Sequence, residues 1–191
     1  MAEIFFKCGC GLIKGVANKV TPTLATRVVC YCDDCQTFAH TLQHENVVLD
    51  AHGGTDIIQL PMSYINITEG TEHIRCLKLT TKGMFRWYAG CCNLPIGFTM
   101  SAGVPFVGVI RNFIENPDSH DKYFGPSLGR LQTKFANGEL PINKNERSML
   151  SIVFKSLSKL LIWKLKGFSK PSAFFDAKGN PVSQPKILKA I

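Results

Sequence analysis

Seven of the eight cysteines in this chain of 191 residues lie in three short clusters. The clusters are Cys8 and Cys10 in "CGCG", Cys30, Cys32 and Cys35 in "CYCDDC", and the adjacent residues Cys91 and Cys92. Close thiols in loops can share one zinc ion, because each thiolate lies only about 2.3 Å from the metal and the tetrahedral ion takes four donors. The clustering therefore predicts a fold built around zinc, with one or two ions per chain.

The redox environment decides between metal binding and disulfides. The amino-terminal segment "MAEIFFKCGCGLIKG" has no basic region followed by an apolar run of signal-peptide length. We therefore expect a cytoplasmic protein, and disulfides are rare in the reducing cytosol. A redox-active Cys-x-x-Cys at the start of a helix is the rival hypothesis for the central triplet. Cys76, which stands alone in "IRCLKLT", is predicted to be a small buried core residue.

The pattern of short apolar segments predicts a mainly β fold. Segments rich in β-branched and aromatic residues run from "EIFFKC" to "PFVGVIRNF", separated by Gly, Pro or Asn at a spacing typical of antiparallel strands. The segment "DDCQTFAHTLQH" lacks Gly and Pro, which predicts a short helix after Cys32 with Asp33 or Asp34 as its N-cap. Residues 116–141 are predicted to be irregular. Residues 1–141 together are predicted to form a zinc-binding β domain.

Residues 142–191 are predicted to form a basic carboxy-terminal extension. They contain 10 Lys and Arg against 2 Asp and Glu, whereas residues 1–141 contain 12 of each kind. Nucleic acid is not an expected partner, because the body of the chain is neutral and its aromatic residues are not interleaved with Arg or Lys.

Within the extension, "ERSMLSIVFKSLSKLLIWKLKG" predicts a helix over residues 146–166 with one apolar stripe. The stripe consists of Leu150, Val153, Leu157, Leu161 and Leu165. Lysines interrupt the run, so no transmembrane segment is expected. An isolated helix of this length is only marginally stable in water. We therefore expect the stripe to pack on the β domain or on a second subunit, which would make the chain a homo-oligomer through this helix.

The order of the cysteine motifs resembles that of the glutathione-dependent formaldehyde-activating enzyme family, which includes centromere protein V. The matching elements are "CGCG", "CYCDDC" and "CCNLPIGF", and the likeness covers about residues 3–111. The resemblance implies a β-tent fold, an antiparallel architecture related to zinc ribbons. It also implies a structural zinc at Cys8, Cys10 and Cys92, and a second zinc at Cys30, Cys32 and Cys35 that acts on glutathione adducts.

One position departs from the family's pattern. Where the family has the first cysteine of a Cys-x-x-Cys, this chain has Ala89, which cannot bind metal, and Cys91 is the obvious replacement. Adjacent side chains point apart along an extended chain, so Cys91 and Cys92 can reach one ion only in a turn, for which Gly90 is suited. We expect a tetrathiolate at Cys8, Cys10, Cys91 and Cys92, with a three-cysteine or empty site as the alternative.

The central triplet is the predicted catalytic site. Three protein ligands leave one position of a zinc ion open, and a soft, thiolate-rich zinc accepts a further sulfur ligand readily. Cys30, Cys32 and Cys35 are therefore expected to serve a carbon-sulfur lyase that acts on a small thiol or a thiol-aldehyde adduct. The resemblance implies the same reaction type. The alternative is a non-catalytic zinc-binding module that uses its basic carboxy-terminal helix to contact a partner.

A protein side chain is the alternative fourth ligand of the triplet. His40 and His44 lie four residues apart on the predicted helix and share one face, so one of them could turn back to the metal. A helical histidine is more often solvated. Asp33 and Asp34 are predicted to act as N-cap and solvated charges and not as general bases.

Overall fold

The computed structural model describes residues 2–115, 120–143 and 145–189, and eleven strands and four helices lie within them. The strands are β1 (Ala2–Lys7), β2 (Lys14–Val20), β3 (Thr26–Cys30), β4 (Thr55–Leu60), β5 (Ile65–Glu69), β6 (Ile74–Thr80), β7 (Phe85–Ala89), β8 (Pro95–Thr99), β9 (Val107–Ile110), β10 (Arg130–Leu131) and β11 (Lys186–Lys189). The helices are α1 (Asp33–Thr41), α2 (Glu45–Val48), α3 (His120–Phe124) and α4 (Met149–Leu165).

The strands form two sheets. A three-stranded antiparallel sheet has the order β1-β2-β5. The larger sheet has the order β10-β3-β4-β9-β8-β7-β6-β11. Its pairs are antiparallel from β3 to β6, while β10 and β11 run parallel to their neighbours at the two edges. The predicted mainly β fold of antiparallel strands is confirmed.

The larger sheet lies between the small sheet and the helices. On one face, Ile96 and Val109 pack in the same cluster as Phe6 and Ala17 of the small sheet. On the other face, residues of α1 and α4 cover the strands in two further clusters. Both faces of the larger sheet are therefore covered, which is why β8 and β9 are buried along their whole length.

The short helix after Cys32 is confirmed as α1, but its N-cap differs from the prediction. Cys32 holds the N-cap position with extended backbone, and Asp33 and Asp34 occupy the first turn. Carboxylates in the first turn of a helix are favourable, because the partial positive charge of the helix dipole lies there. The helix thus begins inside the cysteine triplet and places Cys35 in its first turn.

The segment predicted to be irregular contains a short α-helix, a two-residue strand and a 3-10 turn at Thr133–Phe135. Helix α3 follows residues 116–119, which lie outside the described residues, and β10 pairs in parallel with the end of β3. The Tyr31 amide donates to the Leu131 carbonyl at 3.0 Å. Polar loop composition gave no signal for a two-residue edge strand, yet this pairing places the chain after β10 beside the cysteine triplet.

Helix α4 is confirmed. The prediction that its leucine stripe packs on the β domain is wrong, because another side of the helix faces the sheet. The side that faces the sheet carries Ile152, Ser156, Lys159 and Trp163, spaced by four, three and four residues. Ile152 is 1% exposed and Trp163 is 4% exposed. The Lys159 ammonium donates to the Ala25 carbonyl at 2.6 Å and to Thr26 Oγ1 at 2.8 Å. Ser156 Oγ donates to Gln59 Oε1 at 2.9 Å.

Apart from Val153, which lies at the edge of the side that faces the sheet, the predicted stripe instead faces away from the β domain. Leu150 is 77% exposed, Leu161 is 62% exposed, and Val153, Leu157 and Leu165 are exposed as well. The helix has two apolar sides, and the polar groups on the inner side find partners that only the folded sheet provides. Packing of the outer stripe on a second subunit stays a prediction.

Substitutions on the two sides of α4 should differ sharply in their effect on stability. Ile152→Ala removes methyl groups from a packed site and is expected to lower the free energy of unfolding by about 2–5 kcal/mol. Leu157→Ala changes an exposed side chain and is expected to stay within about 0.5 kcal/mol of the unmodified protein. Urea titration of both variants measures the difference, and equal losses would contradict the observed orientation of the helix.

The chain beyond α4 also joins the core. Phe174 and Phe175 are buried against Trp87, with ring centroids 5.1 Å and 5.6 Å from the indole. Strand β11 then pairs with β6. The extension therefore packs on the sheet both through α4 and through the chain that follows it. The predicted domain boundary between residues 141 and 142 stays a prediction. Within the described part of the chain, none of the helices has the length and hydropathy of a membrane span.

Candidate metal centres

The first group of thiols contains Cys8, Cys10, Cys91 and Cys92, whose sulfur atoms all lie within 4.8 Å of one another. Cys8 Sγ lies 3.5 Å from Cys10 Sγ and 3.8 Å from Cys91 Sγ, and the Cys10 and Cys91 sulfurs are 3.3 Å apart. Sulfurs about 2.3 Å from a tetrahedral zinc would be separated by about 3.8 Å, whereas a disulfide bond is only about 2.05 Å long. The spacing therefore suits four ligands around one ion.

The loop after β1 presents Cys8 and Cys10. The Gly11 amide donates to the Cys8 carbonyl at 2.9 Å, and Gly11 has a φ of 81°, a left-handed conformation that glycine adopts without strain. The Ile13 amide donates to Cys8 Sγ at 3.2 Å. A hydrogen bond from a backbone amide favours the charged form of a sulfur, so the loop is suited to a thiolate.

A tight turn between β7 and β8 presents Cys91 and Cys92. The amides of Cys92 and Asn93 both donate to the Ala89 carbonyl, at 3.2 Å and 2.7 Å, and Asn93 has a φ of 58°. This is the turn that two adjacent cysteines need to reach one ion. Ala89 itself is buried in the core. The turn places Cys91, two residues after Ala89, beside Cys8 and Cys10.

The second group of thiols contains Cys30, Cys32 and Cys35, whose sulfurs also lie within 4.8 Å of one another. Cys30 ends β3, Cys32 caps α1 and Cys35 lies in its first turn. The Cys35 amide donates to the Cys32 carbonyl at 3.0 Å. The strand end and the helix start thus bring the three thiols together within six residues of sequence.

The three thiols share their protons unequally. Hydrogen bonding to Cys30 and then to Cys35 holds the pKa of the Cys32 thiol well below its usual value. Hydrogen bonding to Cys32 raises the pKa of Cys30, and hydrogen bonding to Cys30 raises the pKa of the buried Cys35. The deprotonated form is therefore favoured most at Cys32. Both groups could hold a metal ion.

Neither histidine near the triplet joins it. His44 Nε2 donates to the Cys92 carbonyl at 2.8 Å, so this ring supports the first group. His40 is exposed, and its Nδ1 lies 3.9 Å from Glu45 Oε2. Among the described residues, the group around Cys30 contains cysteines alone. The hypothesis that His40 or His44 turns back to the triplet as its fourth ligand is therefore wrong. Cys76 is buried in β6, as predicted.

A cavity of about 330 Å³ opens onto the triplet. The large sheet supplies Val28, Cys30, Ile57, Gln59, Met84, Arg86, Phe98 and Phe106, the start of α1 supplies Cys32, Asp34 and Cys35, the segment at β10 supplies Leu131 and Gln132, and α4 supplies Met149 and Val153. The Phe98 ring, which forms one wall, packs directly on Gly108 of β9, because a Cβ at that position would lie 2.5 Å from the ring. The walls are mostly apolar, with a few polar groups close to the thiols.

Arg86 is the charged wall of the cavity. Its side chain is 2% exposed, and Nη2 donates to Asp34 Oδ2 at 3.0 Å. The guanidinium also lies over the rings of Phe38 and Phe98, at 5.4 Å and 5.8 Å from their centroids. Asp34 is therefore the ion-pair partner of Arg86 and not only a solvated charge.

Comparison with known proteins gives a family for this chain. A model described as "Family of unknown function (DUF6151)" matches residues 2–186. The chain belongs to this family. The match spans both DUF6151 thiol groups and helix α4. A search of curated proteins finds no match.

Among solved structures, a crystal structure of a Rhodobacter sphaeroides protein, a structural genomics target, is similar to this DUF6151 chain. The two share 15% sequence identity with a TM-score of 0.45, over 66% of this chain and 99% of the other. Values this low carry no argument about fold or function.

The sequence of the DUF6151 chain predicted the thiols and missed the cavity around them. Arg86 gave one usable signal: it is a charge between two aromatic residues of the strand "FRWYA", where an unpaired cation is costly. The contribution of Met149 and Val153 gave none, because it depends on how α4 crosses the sheet.

Proposed function

We propose that both thiol groups bind zinc and that the triplet is the active site of a carbon-sulfur lyase acting on thiol-aldehyde adducts. The observation that carries the proposal is the cavity: three converging thiols have no fourth protein ligand among the described residues, and a space of about 330 Å³ adjoins them. The resemblance of "CGCG", "CYCDDC" and "CCNLPIGF" to the formaldehyde-activating family supports the same reaction and a β-tent fold.

The first group is suited to a structural role. Four sulfurs fill the coordination sphere of a tetrahedral ion and leave no position for a substrate. Cys8 is buried, and its sulfur accepts a hydrogen bond from the Ile13 amide. Zinc is the metal that best fits four thiolates in this geometry, since soft sulfur ligands select it over magnesium or calcium.

The second group is suited to substrate binding. A zinc ion bound by the three cysteines would supply a soft Lewis acid that favours the thiolate form of a substrate sulfur. The apolar walls formed by Val28, Ile57 and Phe106 limit the access of water. In the proposed reaction, the carbon-sulfur bond of a hemithioacetal breaks and its electron pair stays on sulfur, while the electron pair of the O–H bond forms the C=O bond of the aldehyde. The hydroxyl proton passes to Asp34, the carboxylate that lines the cavity, and from there to the released sulfur, so the products are a thiol and an aldehyde.

Cobalt substitution tests this function. The unmodified protein should bind two metal ions per chain, and glutathione or 2-mercaptoethanol should change the ligand-field spectrum of the cobalt form. Cys32→Ser should lose one metal ion and the response to thiol, because it removes one of the three sulfur ligands of the triplet. Cys76→Ala, which changes a cysteine outside both groups, should keep both.

A catalytic assay completes the test. The unmodified zinc form should accelerate the release of formaldehyde from its glutathione adduct, and Cys32→Ser should return the rate to that of the uncatalysed reaction. A protein that binds two metal ions but gives a spectrum and a rate insensitive to thiols would contradict the lyase.

The second candidate is a non-catalytic zinc module whose carboxy-terminal helix contacts a partner. The observation that favours it is the exposed stripe of α4, together with the excess of Lys and Arg after residue 141. An amphipathic helix with a basic face can bind an anionic surface or a second copy of the chain. This function predicts binding to anionic vesicles or self-association that is lost in a Leu150→Ser, Leu161→Ser double variant, together with a cobalt spectrum that thiols leave unchanged.

A further inference from the structure

We propose that the cavity at Cys30, Cys32 and Cys35 selects a small thiol that carries a carboxylate, and that Arg86 is the specificity residue that binds this carboxylate. The inference rests on the proposed function, because it takes the triplet as the site that holds the substrate sulfur. It adds a requirement on the substrate that neither the thiols nor the family assignment contains.

The unpaired nitrogen of Arg86 is the first observation. Arg86 is almost completely buried, and its Nη1 has no hydrogen-bond partner within the part of the chain that the structure describes. A buried donor on a charged group is strongly destabilising when it has no acceptor. Since Asp34 engages only Nη2, a ligand oxygen is the acceptor that the cavity lacks.

The rigidity of Arg86 is the second observation. The guanidinium is fixed by Asp34 at one edge and by the rings of Phe38 and Phe98 on its surfaces. Phe98 is itself held by the close approach of Gly108. A planar group fixed in this way presents its remaining donors in one direction, and a carboxylate is a planar anion whose geometry matches a guanidinium.

The size and polarity of the cavity narrow the substrate further. Its volume of about 330 Å³ is at the lower end of the range for small-molecule pockets. Among the lining residues within the described ranges, Arg86 supplies the positive charge, Asp34 supplies the negative charge that pairs with its Nη2, and most of the others are apolar. A neutral thiol would leave Nη1 unpaired, and a thiol with an ammonium group would place a second cation beside the guanidinium. A short mercapto acid satisfies both the thiols and the arginine.

Three thiols of similar size test the proposal on the cobalt form of the full chain. The probes are 3-mercaptopropionate, 2-mercaptoethanol and cysteamine, which carry a carboxylate, a hydroxyl and an ammonium group. Each is titrated at constant pH and ionic strength, and the dissociation constant is read from the cobalt spectrum. We expect 3-mercaptopropionate to bind about 10- to 100-fold more tightly than 2-mercaptoethanol, the gain expected for a hydrogen bond between charged groups. Cysteamine should bind most weakly.

Variants of Arg86 test whether this residue causes the preference for a thiol with a carboxylate. Arg86→Gln should bind 3-mercaptopropionate and 2-mercaptoethanol with equal affinity, while its affinity for 2-mercaptoethanol stays within about threefold of the unmodified value. Arg86→Lys should restore part of the preference. Arg111→Gln, which removes an arginine outside the cavity, should leave the preference intact. Metal content and a melting curve for each variant show whether it is folded.

The outcomes separate this inference from the function on which it rests. If all three probes bind the unmodified protein equally, or if Arg86→Gln weakens the binding of all three equally, Arg86 does not select the substrate. The proposal that the triplet binds thiols would still hold. If no thiol alters the spectrum, the proposed function fails and this inference fails with it. The comparison within the unmodified protein decides the question even if both Arg86 variants fail to fold.

Discussion

Replacing Cys10 with serine is expected to unfold the protein and not merely to abolish its activity. Cys10 lies in the loop after β1, which belongs to the three-stranded sheet, while Cys91 and Cys92 lie in the turn between β7 and β8 of the large sheet. A metal ion held by the first group would therefore join the two sheets. Structural zinc contributes about 10–16 kcal/mol in small zinc peptides, which matches or exceeds the whole stability of a typical domain, about 5–15 kcal/mol.

The test of this result is a melting curve combined with metal analysis. Cys10→Ser should show no cooperative transition, or one lowered by more than about 15 °C, and should have lost the metal of the first group. Cys76→Ala is the matched control, because Cys76 is a buried cysteine outside both groups, and it should retain all the metal. A soluble Cys10→Ser protein that melts cooperatively at the normal temperature would show that the first group does not hold the sheets together.

The features that were predictable from the sequence are those written in local patterns. The strands, the start of α1 and the two thiol groups each depend on residues that are close together in sequence or belong to short motifs. The gathering of "CGCG" with "CC" required more, since 81 residues separate Cys10 from Cys91. In that case the prediction came from the resemblance of the cysteine motifs to those of the formaldehyde-activating family, and not from the spacing of the four side chains.

The features that were missed depend on long-range packing. The orientation of α4 is decided by acceptors at residues 24–26 and by Gln59, more than ninety residues away. Hydrophobic periodicity favoured the outer stripe, since Lys159 and Ser156 look unfavourable for a buried side until their partners are known. The role of Arg86 was hidden for the same reason: Asp34, Phe38 and Phe98 surround it only after the sheet and α1 have come together.

A chain that ends after Pro141 is expected to lose its fold, because residues 142–191 supply part of the core. Ile152 and Trp163 of α4 and Phe174 and Phe175 beyond it are all buried. At about 1.5–3 kcal/mol for each large apolar side chain, their burial contributes about 6–12 kcal/mol, which is most of the stability of a typical domain. The truncation also uncovers Trp87 and removes two walls of the cavity at the triplet, those formed by Met149 and Val153.

The truncated chain is therefore expected to aggregate, or to melt without a cooperative transition, and to lose its response to thiols as a consequence. The matched control keeps the inner side of α4 and changes the outer side: Leu150→Ser with Leu161→Ser alters two exposed positions and should leave the melting temperature within a few degrees of the normal value. Thermal melting with light scattering compares the two proteins. If the truncated chain stays soluble, melts normally and loses only its binding to anionic vesicles, residues 142–191 act as an interaction arm. If instead the double variant unfolds as well, the outer stripe is buried in the native protein, and a second subunit is then the partner that would cover it.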